Sequence, residues 1–76
     1  MTMIDLSPRD RLILELEADW PGHGAAKEDR IERNLGITAV RYYQLLGRLL
    51  DAPAALAHDP LLVRRLRRMR ETAAVA

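Results

Sequence analysis

The stretch GITAVRYYQLLGRLL, residues 36–50, decides the fold, because it combines a turn signal, a cap signal and an amphipathic helix. Gly36 is typical of a residue that ends a helix, and Thr38 of one that caps the next helix. At about 100° per residue, the leucines fall on one face and the polar side chains on the opposite face. We expect Tyr42 to point into the core and Tyr43 to lie at its border.

Similar signals predict helices on both sides of this stretch. Ser7 and Pro8 fit the start of a helix, Pro21 and Gly22 fit its end, and an Asp-Pro pair at 59–60 repeats the start signal. The predicted helices cover about residues 7–20, 25–35, 38–51 and 59–72, with a helical turn or connector at 52–58. Because no segment alternates apolar and polar residues, we expect residues 1–76 to form a single all-α domain of four to five helices.

The apolar spacing within these helices predicts the core. Besides the leucines of residues 39–50, the expected core residues are Leu12, Ile13, Leu16, Trp20, Ile31, Leu35, Leu62, Leu66 and Met69. A chain of 76 residues builds only a small core, so a homodimer, which would bury more surface, is plausible.

The composition excludes several classes of protein. With 49% hydrophobic and 30% charged residues, the chain is expected to fold, and without cysteine it has neither disulfides nor thiolate metal sites. No apolar run is long enough to span a membrane, and the N-terminus lacks the order of a signal peptide. These features favour a cytoplasmic protein that does not bind membranes.

The charges are unevenly distributed although the net charge is only +1. Residues 1–37 contain five basic and eight acidic residues, whereas residues 60–76 contain five arginines and a single acidic residue. This polarity is typical of a protein that binds a polyanion in one orientation. The alternative is that the arginines only solubilise a terminal helix.

The polar face of the predicted helix 38–51 has the residue types that read DNA. Arg41, Gln44 and Arg48 follow one another at helical spacing, and Arg and Gln pair with guanine and adenine in the major groove. Val40 could meet a thymine methyl, and the hydroxyl of Tyr43 could reach a phosphate. An ordinary solvated face is the alternative.

The last predicted helix is basic and amphipathic. Arg64, Arg67 and Arg68 are expected on the side opposite Leu62, Leu66 and Met69, where they would contact phosphates without reading sequence. Binding to a membrane surface, to an acidic protein or to a second copy of the chain are the alternatives.

No motif indicates catalysis. His23 and His58 are far apart in the sequence, and neither a metal-ligand spacing nor a phosphate-binding glycine loop is present. We therefore expect no enzymatic activity, no metal, no cofactor and no small-molecule substrate.

The segment KEDRIERNLGITAVRYYQLLGRLL resembles the helix-turn-helix of response-regulator and sigma-factor region-four domains. The matching positions are Lys27, Glu28, Ile31, Leu35, Gly36, Ile37 and Thr38, and LSPRDRLILEL is similar to the helix that precedes that unit. The resemblance implies that Thr38, Val40, Arg41, Gln44 and Arg48 lie toward the DNA groove. We also expect Lys27 to contact DNA. The sequence departs from that pattern at Glu32, where a small residue is usual, and in its longer PGHGA loop.

Nearly the whole chain also resembles a small actinobacterial family of unknown function. The shared features are Trp20, the Lys27-Glu28 pair, RYYQLL and DPLLVRRLRRMR. This resemblance implies a helix-turn-helix protein that binds double-stranded DNA in the nucleoid, either as a nucleoid-associated protein or as a transcriptional regulator. The alternative function is a protein-interaction adaptor, for example one that contacts RNA polymerase.

Overall fold

The computed structural model describes residues 6–75, and the burial of side chains through residue 73. The predicted domain of residues 1–76 therefore includes positions 1–5 and 76, which lie outside the described residues. Residues 6–75 form five helices: α1 (Pro8–Asp19), α2 (Ala25–Leu35), α3 (Ala39–Leu49), α4 (Pro53–His58) and α5 (Pro60–Val75). Because residues 6–75 contain no strand, the expectation of an all-α fold is confirmed.

Local sequence signals mark the starts of α1, α3 and α5 and the end of α2, whereas α5 continues to Val75, beyond its predicted end near residue 72. The Ser7 and Thr38 hydroxyls accept hydrogen bonds from backbone N–H groups three residues later, both at 3.1 Å. Asp59 caps α5 in the same way through the N–H of Leu62 at 3.2 Å. Gly36 ends α2 in the left-handed conformation with φ 68°, which glycine adopts without strain.

The core lies where α1, α2 and α3 pack against one another, and α4 packs against α5. Its most deeply buried large side chains are Ile13, Leu14, Ile31, Tyr42 and Val63. Tyr42 is completely buried, which confirms its expected place in the core.

Two predicted core residues are exposed instead. The exposed fraction is 46% for Leu12 and 55% for Met69. In α1 the buried face includes Leu14 and Glu17, which turns Leu12 toward solvent. In α5 the buried face includes Val63, and Met69 lies beyond the part of the helix that the core covers.

Helix α5 is attached to the C-terminal end of α3 by two arginines. The half-buried Arg67 donates from Nε to the carbonyl of Leu50. Arg70 forms an ion pair with Asp51 at 2.9 Å, and this guanidinium holds the pKa of the Asp51 carboxyl below its usual value. Arg67 thus satisfies a backbone carbonyl at the end of α3, and Arg70 neutralises the Asp51 carboxylate that follows it. A positive charge is favoured at the C-terminal end of a helix.

Candidate nucleic-acid interface

The outer face of α3, which we define as Val40, Arg41, Gln44, Gly47 and Arg48, carries basic and apolar groups together. Val40, in the first turn, is 69% exposed, and Arg41, Gln44 and Arg48 are also exposed. None of the ion pairs recorded among residues 6–75 involves Arg41 or Arg48. Both guanidiniums are therefore available to an external acceptor.

Gly47 lies on this face without a structural reason inside the protein. Apart from its chain neighbours and the backbone of its own helix, a Cβ atom built at Gly47 meets no atom within 4 Å. A glycine within a helix costs about 1 kcal/mol relative to alanine. The protein therefore carries this cost although its own packing leaves room for a side chain.

Thr38 supports the outer face of α3 by capping the helix. Its side chain caps α3 by accepting the N–H of Arg41. The cap therefore fixes the first turn, in which Val40 and Arg41 are presented.

The outer face of α5 differs from the predicted one. Arg64, Arg65 and Arg68 are exposed and take part in none of the ion pairs recorded among residues 6–75. Arg67, which we expected on this face, instead faces the end of α3, where it binds the Leu50 carbonyl. Its place as an outward arginine is taken by Arg65, because the buried face of α5 includes Leu62 and Val63.

Lys27 is not a surface residue, which corrects its expected contact with DNA. It is only 2% exposed, and its Nζ lies 2.8 Å from Oε1 of Glu17 and 2.6 Å from the carbonyl of Gly22. A buried ammonium group requires such partners, because desolvation without them would be costly. Lys27 therefore joins α2 to α1 and to the turn that precedes α2.

Tyr43 also has internal partners. Its half-buried ring packs edge-on against Tyr42 at 5.0 Å between centroids and lies 4.8 Å from the ring of His23. Its hydroxyl donates to the carbonyl of Gly22 at 3.4 Å, a long hydrogen bond. These contacts turn the hydroxyl toward the α1–α2 turn, away from the phosphate contact that the sequence suggested.

A buried polar network therefore lies behind α3. The Tyr42 hydroxyl is 2.8 Å from Oε1 of Glu17 and 3.2 Å from the carbonyl of Ile13, and the same Glu17 oxygen accepts from Lys27. Burial, followed by the hydrogen bond to Glu17, raises the pKa of Tyr42. The network fixes α3 against α1 and α2. Its sequence signal was the spacing of Glu17, which lies four residues after Ile13 and therefore on the buried face of α1.

The raised pKa of Tyr42 predicts a loss of stability at high pH. The unfolded chain releases the phenolic proton near pH 10, whereas the folded chain retains it, so the stabilisation present below pH 10 is lost as the pH rises further. Chemical denaturation at a series of alkaline pH values measures this dependence. The variant Tyr42→Phe should show a weaker dependence; an identical dependence in both proteins would contradict the assignment.

The structure separates the charges of the chain. Helices α1 and α2 hold five basic and seven acidic residues between positions 6 and 35, whereas positions 36–75 hold seven arginines and three acidic residues. Two of those three acidic residues have partners within the protein: Asp51 forms an ion pair with Arg70, and Asp59 caps α5. The α3–α5 half therefore presents a surplus of positive charge.

Residues 6–75 contain no group of three or more potential metal-ligating side chains. No helix within that range is long and apolar enough to cross a membrane.

These features define a small all-α domain in which α3 and α5 expose arginines that take part in none of the ion pairs recorded among residues 6–75. The profile of the family described as Protein of unknown function (DUF3263) matches residues 5–76, and the chain belongs to that family. No curated protein and no solved structure matches the chain significantly.

Proposed function

We propose that this protein binds double-stranded DNA, with the outer face of α3 in the major groove and arginines of α5 on phosphates. The observation that carries the proposal is the exposed row of Arg41, Gln44 and Arg48 on a capped helix. These side chains have the donors that pair with base edges, and none of the recorded ion pairs involves the two arginines.

The arrangement of α2 and α3 supports a helix-turn-helix as the means of binding. The two helices pack against each other and are joined by residues 36–38, with Gly36 ending the first helix and Thr38 capping the second. In a helix-turn-helix the second helix enters the major groove with its N-terminal residues on the bases. Here that part of the helix presents Val40, Arg41 and Gln44.

Helix α5 would supply contacts that do not depend on sequence. Arg64 and Arg68 are exposed, and Arg67 and Arg70 fasten the same helix to the end of α3. Such phosphate contacts suit a nucleoid-associated protein or a transcriptional regulator in the bacterial nucleoid. The resemblance to actinobacterial sequences adds to this proposal.

Fluorescence anisotropy with random-sequence duplex DNA tests the proposal, with titrations from about 50 to 200 mM salt. We expect affinity to fall steeply with salt, because neutralised phosphates release counterions. No binding at the lowest salt concentration would overturn the proposal.

Replacing Arg41 and Gln44 by alanine should reduce sequence preference more than overall affinity. Each bidentate contact with a base contributes about 1–3 kcal/mol of discrimination. Binding is measured on a DNA sequence selected from a random library and on a shuffled sequence of equal length. An unchanged ratio of the two affinities would remove α3 from the reading of bases.

Replacing Gly47 by alanine should separate stability from binding. Because a Cβ atom there meets nothing within 4 Å, the variant should gain about 1 kcal/mol of folding free energy from helix propensity. If DNA approaches α3 closely at Gly47, the same methyl group should weaken binding. Denaturation and anisotropy measure the two effects, and full binding by the stabilised variant would show that DNA does not approach there.

A protein-interaction adaptor is the second candidate, and the exposure of Val40 favours it. An apolar side chain that is 69% exposed also suits a contact with a protein such as RNA polymerase. If the protein is an adaptor, the variant Val40→Ser should lose binding to the protein partner. Any binding of this variant to DNA should keep the salt dependence of the parent protein.

A further inference from the structure

Among residues 6–73, three large hydrophobic side chains outside the α3 face are exposed. The exposed fraction is 46% for Leu12, 79% for Leu61 and 55% for Met69. They belong to α1 and α5, and each lies beside charged residues. Exposed apolar side chains that cluster within a polar rim are typical of contact surfaces.

The exposed side chains belong to two surfaces, and the first surface is a groove between α1 and α2. Leu12, Leu16, Trp20 and Leu35 supply its apolar lining, and Glu15 and Asp19 lie on its α1 side. Its α2 side contains Asn34 and Arg30, whose guanidinium lies 5.1 Å from the Trp20 ring. Neither Glu15 nor Asp19 takes part in an ion pair recorded among residues 6–75. The α1 side of the groove is thus apolar and negatively charged.

The second surface is a line of side chains along α5. Leu61, Arg65 and Met69 are spaced four residues apart, so they lie one above another on the helix. All three are exposed, and Arg65 is outside every recorded ion pair among the described residues. We call these three residues the α5 line.

The two surfaces match in spacing and in charge. Leu12 in α1 and Trp20, the residue that follows the last turn of α1, are eight residues apart, as Leu61 and Met69 are in α5. At 1.5 Å per residue both pairs span about 12 Å. Each surface therefore has an apolar side chain at either end with charge between them, negative on α1 and positive on α5.

We propose that the α5 line of one copy of this protein docks into the α1–α2 groove of a second copy. Leu61 and Met69 pack against the apolar ends of the groove, and Arg65 lies between Glu15 and Asp19. The contact joins two different surfaces of the chain, so each copy keeps one groove and one α5 line free. Such a head-to-tail contact produces chains or rings, unlike a two-fold dimer.

Self-association of this kind is independent of the proposed binding to DNA. Arg64 and Arg68 lie on a neighbouring line of α5 and stay available to phosphates when Arg65 is engaged. The test therefore uses the protein without DNA. A failure of self-association would leave the anisotropy result unaffected, and the reverse also holds.

Sedimentation velocity of the full chain, from micromolar to millimolar concentration, tests the proposal. We expect the sedimentation coefficient to rise with concentration beyond the value of a dimer. The variant Arg65→Glu and the double variant Glu15→Lys with Asp19→Lys should each associate at least about tenfold more weakly. The variant Leu61→Ser, an exposed apolar change, should have the same effect, and far-UV circular dichroism checks that every variant is folded.

Mixing the two charge variants provides the decisive control. The Arg65→Glu protein keeps an intact groove and the double variant keeps an intact α5 line, so the mixture should associate although neither protein does alone. Arg68→Glu makes the same charge change on the neighbouring line and should leave association unchanged. The proposal is overturned if the parent protein stays a monomer at every concentration or stops at a dimer. It is also overturned if Arg68→Glu loses as much association as Arg65→Glu, or if the mixture of the two charge variants does not associate.

Discussion

Replacing Lys27 by methionine is expected to lower the free energy of unfolding by about 3–5 kcal/mol. The substitution keeps the length of the side chain but leaves the carboxylate of Glu17, which is 4% exposed, without its positive partner. It also removes the donor to the Gly22 carbonyl. Because small domains have only about 5–15 kcal/mol of stability, much of the variant should be unfolded at moderate temperature.

Two further variants separate the buried charge from general damage. Adding Glu17→Gln to Lys27→Met removes the uncompensated charge while an amide oxygen can still accept from Tyr42, so most of the stability should return. The variant Arg33→Met breaks an exposed pair with Asp29 at 3.8 Å, and it should change stability by less than about 1 kcal/mol. Urea denaturation of all three proteins measures the differences, and equal losses from Lys27→Met and Arg33→Met would contradict the role of the network.

Replacing Arg64 and Arg68 by alanine is expected to weaken binding to every DNA sequence by a similar factor. Each phosphate contact contributes about −0.9 to the slope of log affinity against log salt, so losing two contacts should flatten that slope by about 2. The corresponding loss of affinity near 0.1 M salt is roughly tenfold to a hundredfold. Anisotropy titrations on several unrelated duplexes measure both quantities.

Arg67→Ala is the matched control for this prediction. It removes one positive charge from the same helix, but Arg67 already binds the carbonyl of Leu50. We expect it to lower stability, because that carbonyl loses a charged donor, while the salt slope of the folded protein stays close to that of the parent. If Arg67→Ala flattens the slope more than Arg64→Ala with Arg68→Ala, phosphate binding does not follow the exposed face of α5.

The candidate surfaces could be predicted only in part. The row of Arg41, Gln44 and Arg48 follows from helical spacing alone, since all three lie on the face opposite the leucines of α3. It was harder to predict which arginines of α5 face solvent, because the helix has five arginines and its apolar residues allow more than one inward face. The packing of Leu62 and Val63 turned Arg67 inward and Arg65 outward.

The sequence by itself determined where α1, α3 and α5 begin and where α2 ends. Ser7, Thr38 and Asp59 cap through hydrogen bonds to residues three positions away, and Gly36 ends α2 through its own backbone conformation. Interactions over so few residues are present in the local sequence, so they can be recognised without the fold.

Only the tertiary structure decided which polar residues reach solvent. Lys27 meets a carboxylate ten residues away, Tyr42 lies against a carbonyl 29 residues away, and Arg67 binds one 17 residues away. Spacing along one helix indicates a face, but it does not indicate which neighbour covers that face. The free energy of burying a charge depends on the partners that the packing of other helices provides, and the sequence of one helix does not contain them.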